Sequence, residues 1–148
     1  MTRIREIAAG ETAVAFAAMQ ALRPHLVDDA QFAHRVDELQ RPQGYRLVAV
    51  VEADGAVSAV AGFRVLEMLA YGRVLYIDDL STLPTARRRG HARALLEWCA
   101  EEGSRLGCAA LQLDSNVGPE RLDAHRLYFN CAMRISSYHF TRELAQEP

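Results

Sequence analysis

The stretch "TARRRGHARALLEWCAEEG", residues 85–103, sets three consecutive cations, Arg87, Arg88 and Arg89, directly before Gly90 at the opening of a helical pattern. From there Ala92, Leu95, Leu96, Cys99, Ala100, Gly103 and Leu106 form one apolar stripe, with Arg93, Glu97 and Glu101 opposite. That is the period of an amphipathic helix, and Gly107 stops it. The N–H groups that open a helix carry partial positive charge, so basic residues there cost roughly 0.3–1 kcal/mol each where an anion would stabilise. An anion outside the sequence would resolve the conflict. Gly90 and Ala92 are small enough for a phosphate group to approach the backbone, and arginine forks add charge-assisted hydrogen bonds to its oxygens. A diphosphate suits this pocket; the alternative is a solvated basic loop.

Outward from this helix, the chain reads as alternating layers. "TRIREI" alternates as a first strand, and "GETAVAFAAMQALRPHL" follows as a helix with Val14, Ala17, Ala18 and Leu22 on one face. "DDAQFAHRVDEL" places Phe32, Val36 and Leu39 at helical spacing before the turn "RPQG". Two valine-rich runs flank "ADGA", a hairpin signal built on Asp54 and Gly55, and "YGRVLYIDDLSTL" supplies a third sequential strand. After the arginine helix come a buried strand, "CAALQLD", a helix, "PERLDAHRLYFN", and a last alternating strand, "MRISSYHFTREL". The order β-α-α-β-β-β-α-β-α-β predicts an α/β (α+β layered) fold, a mixed, mostly antiparallel sheet flanked by helices. Its strand, helix, strand unit from about Val74 to Asp114 makes a parallel crossover.

At 148 residues the chain matches a single domain over 1–148, able to bury ~70 % of its unfolded surface. Charged residues are 24 %, hydrophobic ones 50 %, and the net charge of −2 argues against a general nucleic-acid binder. All 17 basic residues are arginine, which excludes a lysine Schiff base and the lysine of a P-loop. Dinucleotide-type glycine spacing is absent as well. Cys99, Cys108 and Cys131 are too few and too unevenly spaced for a disulfide scaffold or a zinc site, and read as buried thiols in a reducing compartment. With charges where a signal peptide needs an apolar run, and no stretch of ~20 apolar residues, the expectation is a cytoplasmic protein without membrane attachment.

"DLSTLPTARRRGHARALL", then "GCAALQLDS" and "AHRLYFNCAMRI", resembles the GNAT superfamily of acetyl-CoA-dependent N-acetyltransferases over about Tyr76 to Phe140. The superfamily signature is Gln or Arg, two residues, Gly, one residue, then Gly or Ala. Here it stands as Arg87, Gly90 and Ala92, with Arg88, Arg89, His91 and Arg93 in the remaining places. The resemblance implies that the amides of this loop hold the pyrophosphate of acetyl-CoA, the co-substrate, and that no metal is used. It also implies that the backbone of Leu80, Ser81 and Thr82 pairs with the pantetheine arm as though it were another strand.

Acetyl transfer needs a deprotonated amine, a polarised carbonyl and a proton for the leaving thiolate. By the resemblance, Tyr128 in "AHRLYF" is the general acid and Asp78 in "YIDDL" the base, directly or through water. Strand alternation puts Asp78 and Asp79 on opposite faces, so only one can meet the acceptor. A salt-bridged strand carboxylate is the other reading of Asp78, and Asp79 reads mainly as structural. Two departures stand out: Arg121 follows a longer loop where many relatives carry asparagine, and Ala132 and Met133 replace a frequent Gly-Phe. Cys131 reads as a structural thiol; His125, three residues before Tyr128 on roughly the same helix face, reads as a packing residue or as a support for the tyrosine, and His139 receives no role. The expected acceptor is a small-molecule primary amine, and "LVDDAQFAHRVDEL", mildly acidic, would suit a cationic one. Acetylation of a protein, or an acyl-CoA-binding module without turnover, are the rival readings. The apolar final strand is a candidate for pairing across a homodimer.

Overall fold

The computed structural model describes residues 1–147, which form two compact units, one ending at Leu113 and one beginning at Asp114. The first holds a single sheet of β1 (Arg3–Ile7), β2 (Arg46–Val51), β3 (Val57–Met68), β4 (Gly72–Thr82) and β5 (Ala110–Leu113), ordered in space as in sequence. Pairing is antiparallel through β4, and β5 joins β4 in parallel. The β2–β3 hairpin turns where Asp54 and Gly55 predict it: Gly55 has φ 90° and its N–H donates to the Glu52 carbonyl at 2.9 Å. The Asp54 carboxylate accepts from the Ala56 N–H at 2.9 Å.

Helices cover both faces of this sheet, which is why β2 is apolar at nearly every position instead of alternating. On one side α1 (Phe16–Leu22) and α2 (Asp29–His34) bury Ala18, Met19, Phe32 and Val36 against Leu47, Ala49 and Val51. On the other, α3 (His91–Arg105) packs on β2, β3, β4 and β5. Phe63 meets Trp98 edge-on there, with ring centroids 5.9 Å apart. Leu95, Leu96 and Cys99 are buried as the stripe predicts, at roughly 1.5–3 kcal/mol for each leucine. Gly107 ends the helix at φ 75°, with Cys108 N–H donating to the Gly103 carbonyl at 2.8 Å.

Two predicted apolar faces shift. A 3₁₀ turn at Thr12–Ala15 precedes α1 and changes its phase, so Ala15, Ala18 and Met19 are buried while Val14 is 46 % exposed. The second helix continues through a wider π-helical turn, Arg35–Gln40, which rotates Leu39 into solvent. The largest departure is at the end of the chain. Residues 133–147 have no ladder partner among the described residues, and Ile135, Tyr138 and Phe140 are exposed. Alternation specifies which side chains would share a face; a strand also needs a partner edge. Among the described residues no helix is long and apolar enough to cross a membrane.

Asp37 ties the helical layer to the sheet. Its carboxylate accepts from Thr12 Oγ1 at 2.6 Å, Arg41 Nε at 2.8 Å and the Gly10 N–H at 3.2 Å, and Arg41 also donates to the Ile7 carbonyl. Burial opposes the charge, but these three donors and the arginine outweigh it and hold the carboxyl below its ordinary value. Asp37→Ala is expected to cost about 2–4 kcal/mol at pH 7, because it removes the charged acceptor shared by Thr12, Arg41 and Gly10 and leaves Thr12 and Arg41 only their mutual bond and the Ile7 carbonyl. With a lowered folded pKa, this stabilisation is present above the unfolded value near 4 and lost as pH falls through the folded one. Urea unfolding of both proteins across that range checks it: the stability gap should close in acid, and a constant gap would remove the ionised carboxylate from the account.

Candidate functional site

The sheet opens at the middle of β4. Ile77 lies opposite Phe63 and Asp79 opposite Gly62, so Asp78 is an extra residue, a β-bulge. β5 accompanies β4 only from Val74 to Ile77. Past that point Leu80, Ser81 and Thr82 pair with Ala61, Val60 and Ala59 on β3 and have no ladder partner on the β5 side. Among the described residues their outer N–H and C=O groups have no strand beside them, an edge that an extended ligand can pair with.

The arginine loop follows this edge. Leu83 N–H donates to the Ser58 carbonyl at 2.9 Å, and a 3₁₀ turn at Pro84–Ala86 leads to Arg87. Arg88 (φ 64°) and Gly90 (φ 79°) both adopt left-handed backbone, a geometry that turns successive N–H groups toward one concavity. For the non-glycine Arg88 this costs roughly 1–2 kcal/mol. No side chain caps α3 and no acidic residue stands in its first turn, so its opening N–H groups are available to an anion.

The arginines divide. Arg87, Arg88 and Arg93 are exposed and have no carboxylate within 4.0 Å among the described residues. Arg89 instead donates to both oxygens of Glu52, at 2.9 and 3.3 Å, and Glu52 also accepts from Ser58 Oγ. His91 is buried with Nε2 unpartnered, 3.8 Å from Glu52. Burial, then the charge of Arg89, lowers its pKa, so at neutral pH the uncharged ring is favoured. Ala92 is half-buried beside it.

The two carboxylates of β4 also part company. Asp78 forms a two-pronged pair with Arg64, 3.1 Å on each prong. Burial raises its pKa and neighbouring Asp79 adds to that, while Arg64 and Arg23 oppose. Asp79 accepts from Arg23 Nε at 2.9 Å and from the Tyr45 hydroxyl at 2.9 Å, and Arg23 also donates to the Asp78 carbonyl. Burial above all, then Asp79, keeps the Tyr45 phenol far above its ordinary pKa, so it remains a donor. The bulge breaks the strict alternation that would have set the two aspartates on opposite faces. A cavity of about 250 Å³ lies under α1 and α2, with Asp79, Tyr45 and Arg23 in its wall.

Sequence reasoning passed over Arg23, Tyr45 and Arg64. Arg23 read only as a helix end, and its partner is 56 positions away. One signal was available in Gly62, a glycine inside an apolar strand: a Cβ there would overlap the Tyr45 ring and hydroxyl, which cross directly over it.

In the second unit, a 3₁₀ turn at Pro119–Arg121 opens α4 (Leu122–Asn130). Tyr128 is buried, and its hydroxyl accepts from Arg121 at 3.4 Å. His125 Nε2 and Ser115 Oγ are 3.0 Å apart, and His139 pairs with Asp114 at 2.9 Å. α4 closes with Ala132 at φ 62° and Met133 N–H on the Tyr128 carbonyl at 3.0 Å. Alanine thus occupies a left-handed position where glycine is the unstrained choice. Cys131 is half-buried, and burial pushes the Cys99 thiol up to about 12.

The model of the "Acetyltransferase (GNAT) family" matches residues 11–132. No curated protein matches the chain in sequence. Among solved structures it is similar to a transcriptional regulator from Bacillus halodurans C-125, with TM-score 0.82 and 18 % identity over 97 % of this chain and 100 % of that one. An aminoglycoside N-acetyltransferase in complex with CoA gives TM-score 0.79 and 17 % identity, covering 98 % and 96 %. Glucosamine-6-phosphate N-acetyltransferase from Arabidopsis thaliana gives 0.76 and 17 %, covering 98 % and 99 %. At these identities the likeness establishes the fold, and the family match establishes the rest: the chain belongs to the GNAT acetyltransferase family and is an acetyl-transferring enzyme of that type.

Proposed function

We propose that this chain, as one catalytic domain, moves an acetyl group from acetyl-CoA to a primary amine of a small molecule in a direct ternary complex. The observation that carries the reading is the opening of the sheet after Ile77, set beside a helix N-terminus with no side-chain cap and no acidic residue in its first turn. Leu80, Ser81 and Thr82 offer the pantetheine arm a strand edge. The amides of Arg87–Arg93, with the free guanidinium groups of Arg87 and Arg88, hold the diphosphate. Arg89, engaged by Glu52, braces the loop on the β2–β3 hairpin.

When bound, the co-substrate supplies the acetyl group as a thioester. Asp78, its basicity raised by burial, takes the amine proton through water as the C–N bond forms, since the cavity that receives the amine has Asp79 and not Asp78 in its wall. Tyr128 gives its proton to the sulfur as the C–S bond breaks, an assignment that rests on its place in the family motif. The amine enters the cavity beside Asp79, whose size favours a small acceptor over a protein. The exposed residues Ile135, Tyr138 and Phe140 would be covered if two copies paired this segment in a homodimer.

Isothermal titration with acetyl-CoA tests the reading, with an Arg88→Glu, Gly90→Asp double variant beside the native protein. Two charge-assisted contacts replaced by repulsion should weaken binding about a hundredfold or more, ~3 kcal/mol. A Cβ at Gly90 meets nothing within 4 Å, but at φ 79° it strains the backbone by roughly 1–2 kcal/mol, so a thermal melt with an unchanged cooperative transition goes with the titration of the variant. Equal binding by both proteins, or none by the native one, overturns the site.

A further inference from the structure

The acidic composition of "LVDDAQFAHRVDEL" points to a cationic acceptor, and the structure spends those carboxylates elsewhere. Asp28 caps α2 by accepting from the Gln31 N–H at 2.7 Å, and Asp37 is committed to Thr12, Arg41 and Gly10. Neither lines the cavity, and nor do Asp29 and Glu38. What lines it is mainly cationic: Arg23 and Arg35, with His25 beside them, against the single carboxylate of Asp79. Two guanidinium groups against one carboxylate leave an excess of one positive charge.

The partners of these groups sharpen the point. Both oxygens of Asp79 are occupied, Oδ1 by Arg23 and Oδ2 by Tyr45. Arg35 has no carboxylate within 4.0 Å and no side-chain hydrogen bond among the described residues, and the same holds for His25. An arginine fork facing a cavity without a counter-ion is a site for a carboxylate or a phosphate. The rest of the wall is Met19, Leu26, Phe32 and Val36, with Gln40 and the Tyr45 phenol as its neutral polar groups. The volume equals the share of about eight liquid waters, room for a compact amine and not for a folded partner.

Resting on the function proposed above, we infer that the acceptor is a small amine that also carries an anionic group, and that Arg35, with Arg23, selects it. Arg35 is a specificity residue in this scheme; it takes no part in proton transfer.

Matched pairs test the inference, with thiol release from acetyl-CoA and titration of the CoA-saturated protein as readouts. The pairs are L-phenylalanine against 2-phenylethylamine, and glucosamine 6-phosphate against glucosamine, which separate carboxylate from phosphate. In at least one pair the anionic member should be favoured about tenfold or more in kcat/KM or affinity. Arg35→Glu should abolish or invert that preference, while acetyl-CoA affinity and thermal midpoint stay at native values. Neutral members handled as well as anionic ones, no binding of either, or a preference that survives Arg35→Glu each overturn the inference. Native protein that fails to bind acetyl-CoA marks failure of the underlying functional reading instead.

Discussion

Replacing Gly62 by alanine should destabilise the first unit more than any other single methyl group added to its sheet. The new Cβ falls inside the Tyr45 ring, with Cε2 only 2.7 Å away and the hydroxyl and Cζ closer still. Tyr45 is 3 % exposed, and shifting it into the neighbouring cavity would break its hydroxyl's bond to Asp79. Overpacking of about 1–3 kcal/mol adds to the loss of a hydrogen bond to a charged acceptor, about 1.5–3 kcal/mol. The sum, roughly 3–5 kcal/mol, should lower the thermal midpoint by on the order of 10 °C. Because Asp79 also lines the acceptor cavity, KM for the amine should rise as the phenol is displaced, with acetyl-CoA affinity unchanged. The same substitution in a Tyr45→Ala background should cost far less, since the two changes share one contact. Additive effects in that cycle would show that Gly62 matters for some other reason.

Tyr128→Phe should leave the fold intact and remove turnover. The ring stays buried, and only the hydroxyl that accepts from Arg121 is lost, so the stability change should be within about 1 kcal/mol. If that hydroxyl protonates the leaving thiolate, kcat falls about a hundredfold or more while acetyl-CoA affinity holds, which titration and a stopped thiol-release assay separate. A free phenol near pKa 10 stays protonated over the working range and can assist a thiol near 8.5 without ionising itself. Full turnover by the variant would move the proton donor elsewhere. Loss of coenzyme binding would make the residue a packing element.

The helix beginning at Gly90 shows what local pattern can carry. Its stripe, its stop at Gly107 and its uncapped basic start are all within 18 residues, and each reappears with Leu95, Leu96, Cys99 and Gly103 buried. The hairpin at Asp54 and Gly55 was equally readable, since turn geometry is set by its own residues. β2, β3 and β4 came out side by side because the two connections between them are short turns. The α1 face and Leu39 failed for a local reason of another kind: a 3₁₀ turn and a π-helical turn alter the period without a clear sequence mark.

By itself, then, the sequence determined the layered α/β fold, the motif Arg87, Gly90, Ala92, and the basic, uncapped start of that helix, because these follow from periods and charges between near neighbours. Tertiary structure alone decided where β4 bulges and parts from β5, which of Asp78 and Asp79 lines a cavity, that Arg89 is bound to Glu52, and that the cavity under α1 and α2 is cationic. Each of these depends on a partner far away in the chain, as Arg23 is from Asp79 and Arg89 from Glu52. Side chains separated by tens of residues acquire a common charge and shape only once the sheet has set their register.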